Sequence, residues 1–266
     1  MQIHPNLSSE QGELLRAIAC DRNNCKLNNR NFINILHFCF QPCSLLYNTD
    51  VLLSPQLIMV KTIQAWDISL YELEENFGLE LVNNTDFFPE WTENLPLLTD
   101  IEKSSLERVK NNYLNLTKRR SMSEEVVKMV VLSPLLDLAG FYQHTFEIET
   151  ETSTEISAVD ESVIVKGSID VLVINKRLWI LVIESKSTKF DVISALPQAL
   201  SYMLDTPNIE QPTFGLLVNG REFVFVKLVQ VQKPKYARSD ALSIEKTNEL
   251  QQVLSILKRF SELILL

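Results

Sequence analysis

Two acidic side chains and one lysine interrupt the most apolar part of the sequence. Asp170 lies in the run from 162 to 174, and Glu184 and Lys186 end the run from 178 to 186. Continuous apolar runs are typical of strands that are buried on both faces, where an uncompensated charge costs free energy. A divalent cation bound by the two carboxylates would offset that cost, and so would an ion-pair network among the three side chains. Because alternate residues of a strand point the same way, Glu184 and Lys186 share one side of it.

Helices and strands that could position these residues follow in a regular order. Apolar spacing and turn residues predict strands at about 145–157, 162–174, 178–186, 213–218 and 222–230. Helical spacing predicts helices over about 65–77, 99–120, 123–140, 191–204 and 244–265, with a kink or break at Pro134. The order from residue 123 is helix, three strands, helix, two strands and helix, which predicts an α/β fold.

The ordered set of these residues resembles the PD-(D/E)xK nuclease superfamily. Gly167-Ser-Ile-Asp170 is similar to its first acidic motif, with Ile169 where the family usually has proline, and Glu184-Ser-Lys186 matches its E-x-K motif. Gln198 and Tyr202 match the Q-x-x-x-Y motif of the RecB-like branch. Their spacing of four places both side chains on one face of a helix.

A helical segment upstream resembles the N-terminal nuclease domain of the R subunits of type I restriction endonucleases. The matching residues are Glu124-x-x-x-Lys128, followed by Pro134-Leu-Leu and Gly140-Phe. In that family a helix glutamate contributes to the metal site. The resemblance assigns this role to Glu124, with its neighbour Glu125 as the alternative.

The resemblance implies a restriction-endonuclease-like fold, in which helices flank a mixed central sheet and the core runs helix, three strands, helix, strand. It implies that Mg²⁺, or Mn²⁺ in its place, is bound by Asp170, Glu184, Glu124 and the backbone carbonyl of Ser185. Lys186 would orient or deprotonate the attacking water, and Gln198 and Tyr202 would contact the DNA backbone. The implied activity is that of a Mg²⁺-dependent DNA endonuclease of restriction-modification type, acting in the cytoplasm.

Two other functions share these motifs or this fold. A DNA repair or recombination nuclease would carry the same Q-x-x-x-Y motif, and a non-catalytic DNA- or partner-binding module of a defence or repair complex would keep the fold. No ATP site is expected, because Gly215 and Gly220 have Walker A spacing but are followed by Arg221-Glu222. Type I R subunits carry an ATP-driven motor. Motor or specificity subunits on other chains are therefore expected as partners, besides DNA.

The composition limits how the chain could bind DNA. Its 266 residues carry a formal net charge of -9, with 45% hydrophobic and 22% charged residues, as in ordinary folded proteins. No apolar run reaches the roughly 18–20 residues that a membrane span needs, so no membrane association is expected. The acidic excess predicts weak and salt-sensitive DNA binding. The acidic side chains between Glu147 and Glu161 are expected on a strand face that turns away from the DNA.

Three parts of the chain differ in pattern. Residues 1–58 form an atypical extension that holds all four Cys. For this extension, disorder, a start of translation at Met59, and a zinc site built on Cys20, Cys25, Cys39 and Cys43 all remain open. Residues 59–120 are predicted to be a helical N-terminal part. Residues 121–266 are predicted to be the nuclease core, with a C-terminal hairpin at Asn219-Gly220 and a final helix.

Overall fold

The apolar runs of the sequence form strands of one large mixed sheet. The structure is a computed structural model that describes residues 60–158, 162–175 and 178–263, and it describes only the backbone of residues 178–181. The predictions for residues 1–58, including the zinc site and the start of translation, lie outside the described residues.

Nine strands form this sheet within the described residues. They are β1 (Lys61–Gln64), β2 (Glu80–Leu81), β3 (Glu147–Ser157), β4 (Val163–Asn175), β5 (Leu178–Ser185), β6 (Thr213–Val218), β7 (Glu222–Val229), β8 (Lys235–Arg238) and β9 (Leu242–Ser243). The order across the sheet is β1-β4-β5-β6-β7-β8-β2, with β3 paired to β4 and β9 paired to β7. The β3–β4, β4–β5 and β6–β7 pairs are antiparallel, whereas the β1–β4 and β5–β6 pairs are parallel.

Helices cover both faces of the sheet. They are α1 (Leu70–Phe77), α2 (Asp100–Thr117), α3 (Glu124–Val127), α4 (Ser133–Leu138), α5 (Leu196–Leu204) and α6 (Glu249–Leu263). A π-helical turn, Lys128–Leu132, joins α3 to α4, and in it the Ser133 amide donates to the Lys128 carbonyl. Pro134 has no amide hydrogen, and the wider turn keeps the helix continuous ahead of it. The kink or break predicted at Pro134 is therefore a change of helix type.

The described residues form two hydrophobic cores, which lie on opposite faces of the sheet. One core contains residues of α4 and α6, such as Leu135 and Phe260, and the other contains residues of α5, such as Leu200. Leu172 and Val173 are neighbours on β4, and both are fully buried in different cores. Burial on both faces explains the continuous apolar runs of the central strands.

The α/β class and the mixed sheet flanked by helices are confirmed. From Glu124 onward the described elements run helix, three strands, helix and strand, and the predicted strands agree with β3 to β7 within two residues. The last helix is shorter than predicted, because Leu242–Ser243 pairs with β7 and α6 begins at Glu249. None of the described helices is both long and apolar enough to cross a bilayer.

Residues 60–120 hold two short strands, β1 and β2, besides the helices α1 and α2. The helix predicted over 65–77 begins only at Leu70, because Ser69 and Glu72 form a capping box. Trp66, predicted to lie on the apolar face of that helix, is 64% exposed. The sequence does not predict β1 and β2, and both strands pair within the same sheet as the later ones.

Candidate functional site

Asp170 and Glu184 lie opposite each other in the antiparallel pair of β4 and β5. Val171 is paired with Ile183, which places the next residues, Asp170 and Glu184, side by side across the two strands. Both side chains are buried, with Asp170 9% exposed and Glu184 1% exposed. Burial, together with the charge of Asp170, raises the pKa of Glu184 to about 8. The structure therefore brings together the two carboxylates that stand out in the sequence.

Both oxygens of the Asp170 carboxylate have partners. Its Oδ2 accepts the backbone amide of Ser185 at 2.8 Å and the Ser185 hydroxyl at 3.1 Å. Its Oδ1 accepts a hydrogen bond from Lys128 Nζ, which lies 2.9 Å away. Hydrogen bonds to an ionised group are stronger than those between neutral groups. These contacts therefore hold the carboxylate between the end of β5 and the π turn that follows α3.

A chain of hydrogen bonds connects Glu184 to α5. Lys186 donates to Glu184 Oε1 at 2.5 Å and to Gln198 Oε1 at 3.0 Å. Gln198 Nε2 in turn donates to the Tyr202 hydroxyl at 2.8 Å. Two residues on one side of a strand and two residues on one face of a helix thus form one network, as their spacing predicts.

Tyr202 is the innermost member of this network. Its side chain is 1% exposed, and burial raises the pKa of its hydroxyl to about 12. Gly167 makes room for the ring, since a Cβ at residue 167 would lie 2.6 Å from Tyr202 Cε1. The contact with the DNA backbone that the sequence led us to expect of Tyr202 is out of reach from this buried position. Tyr202 instead positions Gln198, which is partly exposed.

Lys128 places an ammonium group among three carboxylates. Its Nζ lies 2.9 Å from Asp170 Oδ1, 3.2 Å from Glu124 Oε1 and 3.9 Å from Glu151 Oε1. Burial alone would lower the pKa of Lys128, but the hydrogen bonds and charges of Asp170 and Glu124 more than reverse this, and its pKa is raised. Burial, and then the charge of Asp170, raise the pKa of Glu124. Glu124, and not the exposed Glu125, is therefore the helix glutamate beside Asp170.

Glu151 is a site residue that the sequence does not single out. The pairs on either side of it in the β3–β4 register place it opposite Asp170. Its φ of 54° lies in the left-handed region, which is strained for a residue with a side chain. Among the acidic side chains between Glu147 and Glu161, which are expected to turn away from the DNA, Glu151 approaches Lys128 of the site.

The site has excess negative charge and, among the described residues, a carboxylate oxygen without a partner. Its four carboxylates outnumber its two ammonium groups, which leaves two formal negative charges when all six are ionised. Glu184 Oε2 is buried, and no residue in the described part of the chain donates a hydrogen bond to it. An unpaired buried carboxylate oxygen costs free energy, and a divalent cation would satisfy it. The chemistry of these residues therefore fits a cation.

The lysines determine how open the site is to such a cation. Among the described residues, no three or more His, Cys, Asp or Glu side chains are already arranged to hold a metal ion. Lys128 forms ion pairs with both Glu124 and Asp170, and Lys186 bonds to Glu184. A cation at these carboxylates would compete with the ammonium groups.

Replacing Glu184 by glutamine should make the folded state less sensitive to alkaline pH. An acid whose pKa is raised by folding contributes fully to stability below its unfolded pKa near 4.5, and loses that contribution as the pH rises toward about 8. Glu184→Gln abolishes this loss. The free energy of unfolding of the variant, relative to the wild type, should therefore increase by the order of 3 kcal/mol between pH 5 and pH 8. Urea denaturation in EDTA at both pH values measures this difference.

Glu107→Gln is the matched control for this comparison, because Glu107 is an exposed carboxylate on α2 outside the site. Its stability relative to the wild type should not change with pH in the same range. The same pH dependence in both variants would contradict a raised pKa at Glu184.

Comparison of the sequence with protein-family models gives no match, and comparison with curated proteins gives none either. The case for a function therefore depends on the geometry of the site. Its main features are the buried Asp170–Glu184 pair, the two lysines bonded to it and the network that leads to α5.

Proposed function

We propose that the protein is a Mg²⁺-dependent DNA endonuclease, similar to the nuclease domain of type I restriction R subunits but without an ATP-driven motor of its own. The observation that carries this proposal is that Asp170 of β4, Glu184 of β5 and Lys186, which directly follows β5, lie close together, with Gln198 bonded to the lysine. The element order from Glu124 supports the finer proposal of a restriction-endonuclease-like fold. A repair or recombination nuclease would use the same site.

Four groups of the chain would hold the cation in this proposal. They are the carboxylates of Asp170, Glu184 and Glu124 and the backbone carbonyl of Ser185. Oxygen ligands suit Mg²⁺ and Mn²⁺, and Glu184 Oε2, which has no partner in the described part of the chain, is such a ligand. When bound, the cation supplies the positive charge that polarises a phosphate group and a water molecule.

Lys186 is placed to act on the attacking water. An ammonium group has three N–H donors, of which Glu184 and Gln198 receive two. The remaining donor orients the water and offsets the negative charge that develops on the phosphate. The side chain of Lys186 is 22% exposed, so its end can meet a substrate that approaches from solvent.

Gln198 and Tyr202 act on the reaction through Lys186. The Gln198 amide holds the ammonium on one side, and the buried Tyr202 hydroxyl holds that amide. A donor whose direction is fixed before the substrate binds needs no reorganisation during the reaction. These two residues are therefore positioning residues in this proposal.

DNA is the proposed substrate, and motor or specificity subunits on other chains are the proposed partners. The net charge of -9 disfavours tight DNA binding by this chain alone. The cation reduces the local negative charge at the site, and a partner subunit would supply the remaining affinity.

A second proposal is a non-catalytic module that binds DNA or a partner subunit. The observation that favours it is Lys128, which already pairs with both Asp170 and Glu124. A lysine that stays in this place would make the site a permanent ion-pair network with a structural role. The two proposals differ in whether the site binds a divalent cation.

A cleavage assay tests the proposed nuclease. The protein is incubated with supercoiled plasmid, linear duplex or single-stranded DNA in the presence of Mg²⁺, Mn²⁺ or EDTA. We expect cleavage with either cation and none in EDTA, with products that carry 5′-phosphates. Failure to cleave any of these DNA forms, by folded protein that binds the cation, would overturn the proposal.

Replacing Lys128 by methionine should strengthen cation binding. The substitution keeps an unbranched apolar side chain and removes the ammonium that competes for Asp170 Oδ1 and Glu124 Oε1. We expect the dissociation constant for Mn²⁺, measured by titration calorimetry, to fall about tenfold.

The matched control for this titration is Lys166→Met, because Lys166 forms an exposed ion pair with Glu155 outside the site. It should bind Mn²⁺ as the wild type does. Weaker binding in Lys128→Met would show that the ammonium holds the carboxylates together, and no binding in any of the three proteins would favour the non-catalytic module.

A further inference from the structure

A cavity of about 460 Å³ adjoins the site between the α3–α4 helix and strands β3 and β4. Five of its eleven lining residues have apolar side chains, namely Met129, Leu132, Leu136, Ile148 and Val171. Asp170 and Lys128 also line it. The cavity and the carboxylate site therefore share a boundary, and a ligand could occupy both.

Two irregular backbone segments border this cavity. The π turn Lys128–Leu132 carries Met129 and Leu132 into its wall, and the strained residue Glu151 lines it from β3. A π turn within an α-helix and a left-handed residue with a side chain each cost stability, and both are frequent at functional sites. Because the π turn and Glu151 both line this cavity, a ligand-binding role for the cavity is indicated.

Hydroxyl groups give the cavity a polar side. The Tyr142 hydroxyl donates to Ser133 Oγ at 2.8 Å, and Thr150 is a further lining residue. Tyr142 is 47% exposed and Met129 is 72% exposed, so an aromatic ring and a flexible thioether are open to solvent here. Apolar walls with a few hydroxyls match a nucleobase, which has apolar faces and polar edges.

We propose that this cavity binds the base of a nucleotide next to the scissile phosphate, after that base has turned out of the base stack. The inference rests on the proposed function, because it takes the phosphate to lie at Asp170 and Lys186. A base is joined to its phosphate through one sugar, so a cavity that shares Asp170 with the site is within its reach. An apolar side chain of a partner protein would form no hydrogen bonds with the hydroxyls of Tyr142 and Ser133.

A cavity that binds a turned-out base favours one class of substrate. Bases in a duplex are paired and stacked, and turning one out costs a few kcal/mol. That cost is smaller for an unpaired base. The preferred substrate is therefore single-stranded DNA, or duplex DNA with an unpaired base at the cleavage position.

An oligonucleotide that contains 2-aminopurine tests base binding without cleavage. In Ca²⁺, the fluorescence of the single strand should rise when it binds to the wild-type protein, because the base leaves its stacked neighbours. Thr150→Trp fills the cavity from an exposed strand position, and it should abolish this rise and weaken binding about tenfold. Ser153→Trp adds the same ring at an exposed position of β3 outside the cavity, and it should behave like the wild type.

Three outcomes separate this inference from the proposed nuclease activity. Equal signals from the Thr150 and Ser153 variants, or no rise with the wild type, would overturn base binding in the cavity. Equal rates of Mg²⁺-dependent cleavage for intact and abasic single strands would overturn it too, and would leave the nuclease standing. A rise that is lost only in Thr150→Trp, without cleavage of any DNA, would support base binding and overturn the nuclease.

Discussion

Lys186→Met should lower the rate of Mg²⁺-dependent DNA cleavage at least about 10³-fold, which corresponds to about 4 kcal/mol of transition-state stabilisation. Methionine replaces the apolar part of the lysine with an unbranched side chain of similar size, but it has no ammonium to orient water or to offset charge on the phosphate. The bonds to Glu184 and Gln198 disappear as well. Single-turnover rates at saturating DNA measure this effect separately from DNA binding.

Two controls show whether the loss comes from the chemistry. Lys166→Met removes an ammonium from β4 outside the site, so its cleavage rate should stay near that of the wild type. Lys186→Met should still bind Mn²⁺, because the carboxylates of Asp170, Glu184 and Glu124 are all present. Cleavage by Lys186→Met at the wild-type rate would show that the assignment of Lys186 is wrong. Loss of Mn²⁺ binding would instead assign it to holding the site together.

Gly167→Ala should lower the free energy of unfolding by about 2–3 kcal/mol. A Cβ at residue 167 would lie 2.6 Å from the Cβ of Ala65 and 2.6 Å from Tyr202 Cε1. The Ala65 Cβ is attached directly to the backbone, so no rotation of a side chain relieves this overlap. The Tyr202 ring would have to leave the place where Gln198 donates to its hydroxyl. Cleavage should therefore decrease together with stability.

Gly215→Ala is the matched control, because Gly215 is also a strand glycine with a crowded surrounding. A Cβ there would lie 2.9 Å from the sulfur of Met203 and 3.3 Å from Val226 Cβ. The methionine side chain is flexible and can move aside, so this substitution should cost less. Urea denaturation of both variants gives the comparison, and equal losses of stability would contradict a rigid contact at Gly167.

The long strands could be predicted because burial on both faces leaves a continuous apolar run, as at Leu172 and Val173 of β4. The strands β1, β2, β8 and β9 have only two to four residues each, too few for a period to appear. Their pairing depends on the sheet edges that they meet. The start of α1 can be predicted from the sequence, since Ser69-Leu-Tyr-Glu72 has the spacing of a capping box.

The site could be predicted where its residues lie on one strand or one helix, because spacing then determines which side chains meet. Glu151 could not be predicted, since its closeness to Asp170 depends on the β3–β4 register and on a left-handed φ that a glutamate rarely adopts. Lys128 is an intermediate case. Its pairing with Glu124 follows from a spacing of four, whereas its contact with Asp170 depends on how the helix packs on the sheet.

The π turn Lys128–Leu132 rotates the side chains of α4 about the helix axis relative to those of α3. A π turn holds one residue more than an α turn, and one residue of an α-helix corresponds to a rotation of about 100°. The phase of α4 sets which residues enter the core, such as Leu135, and the phase of α3 directs Glu124 toward the site. Because of this extra residue, Glu124 on α3 can face the site while Leu135 on α4 packs in the core.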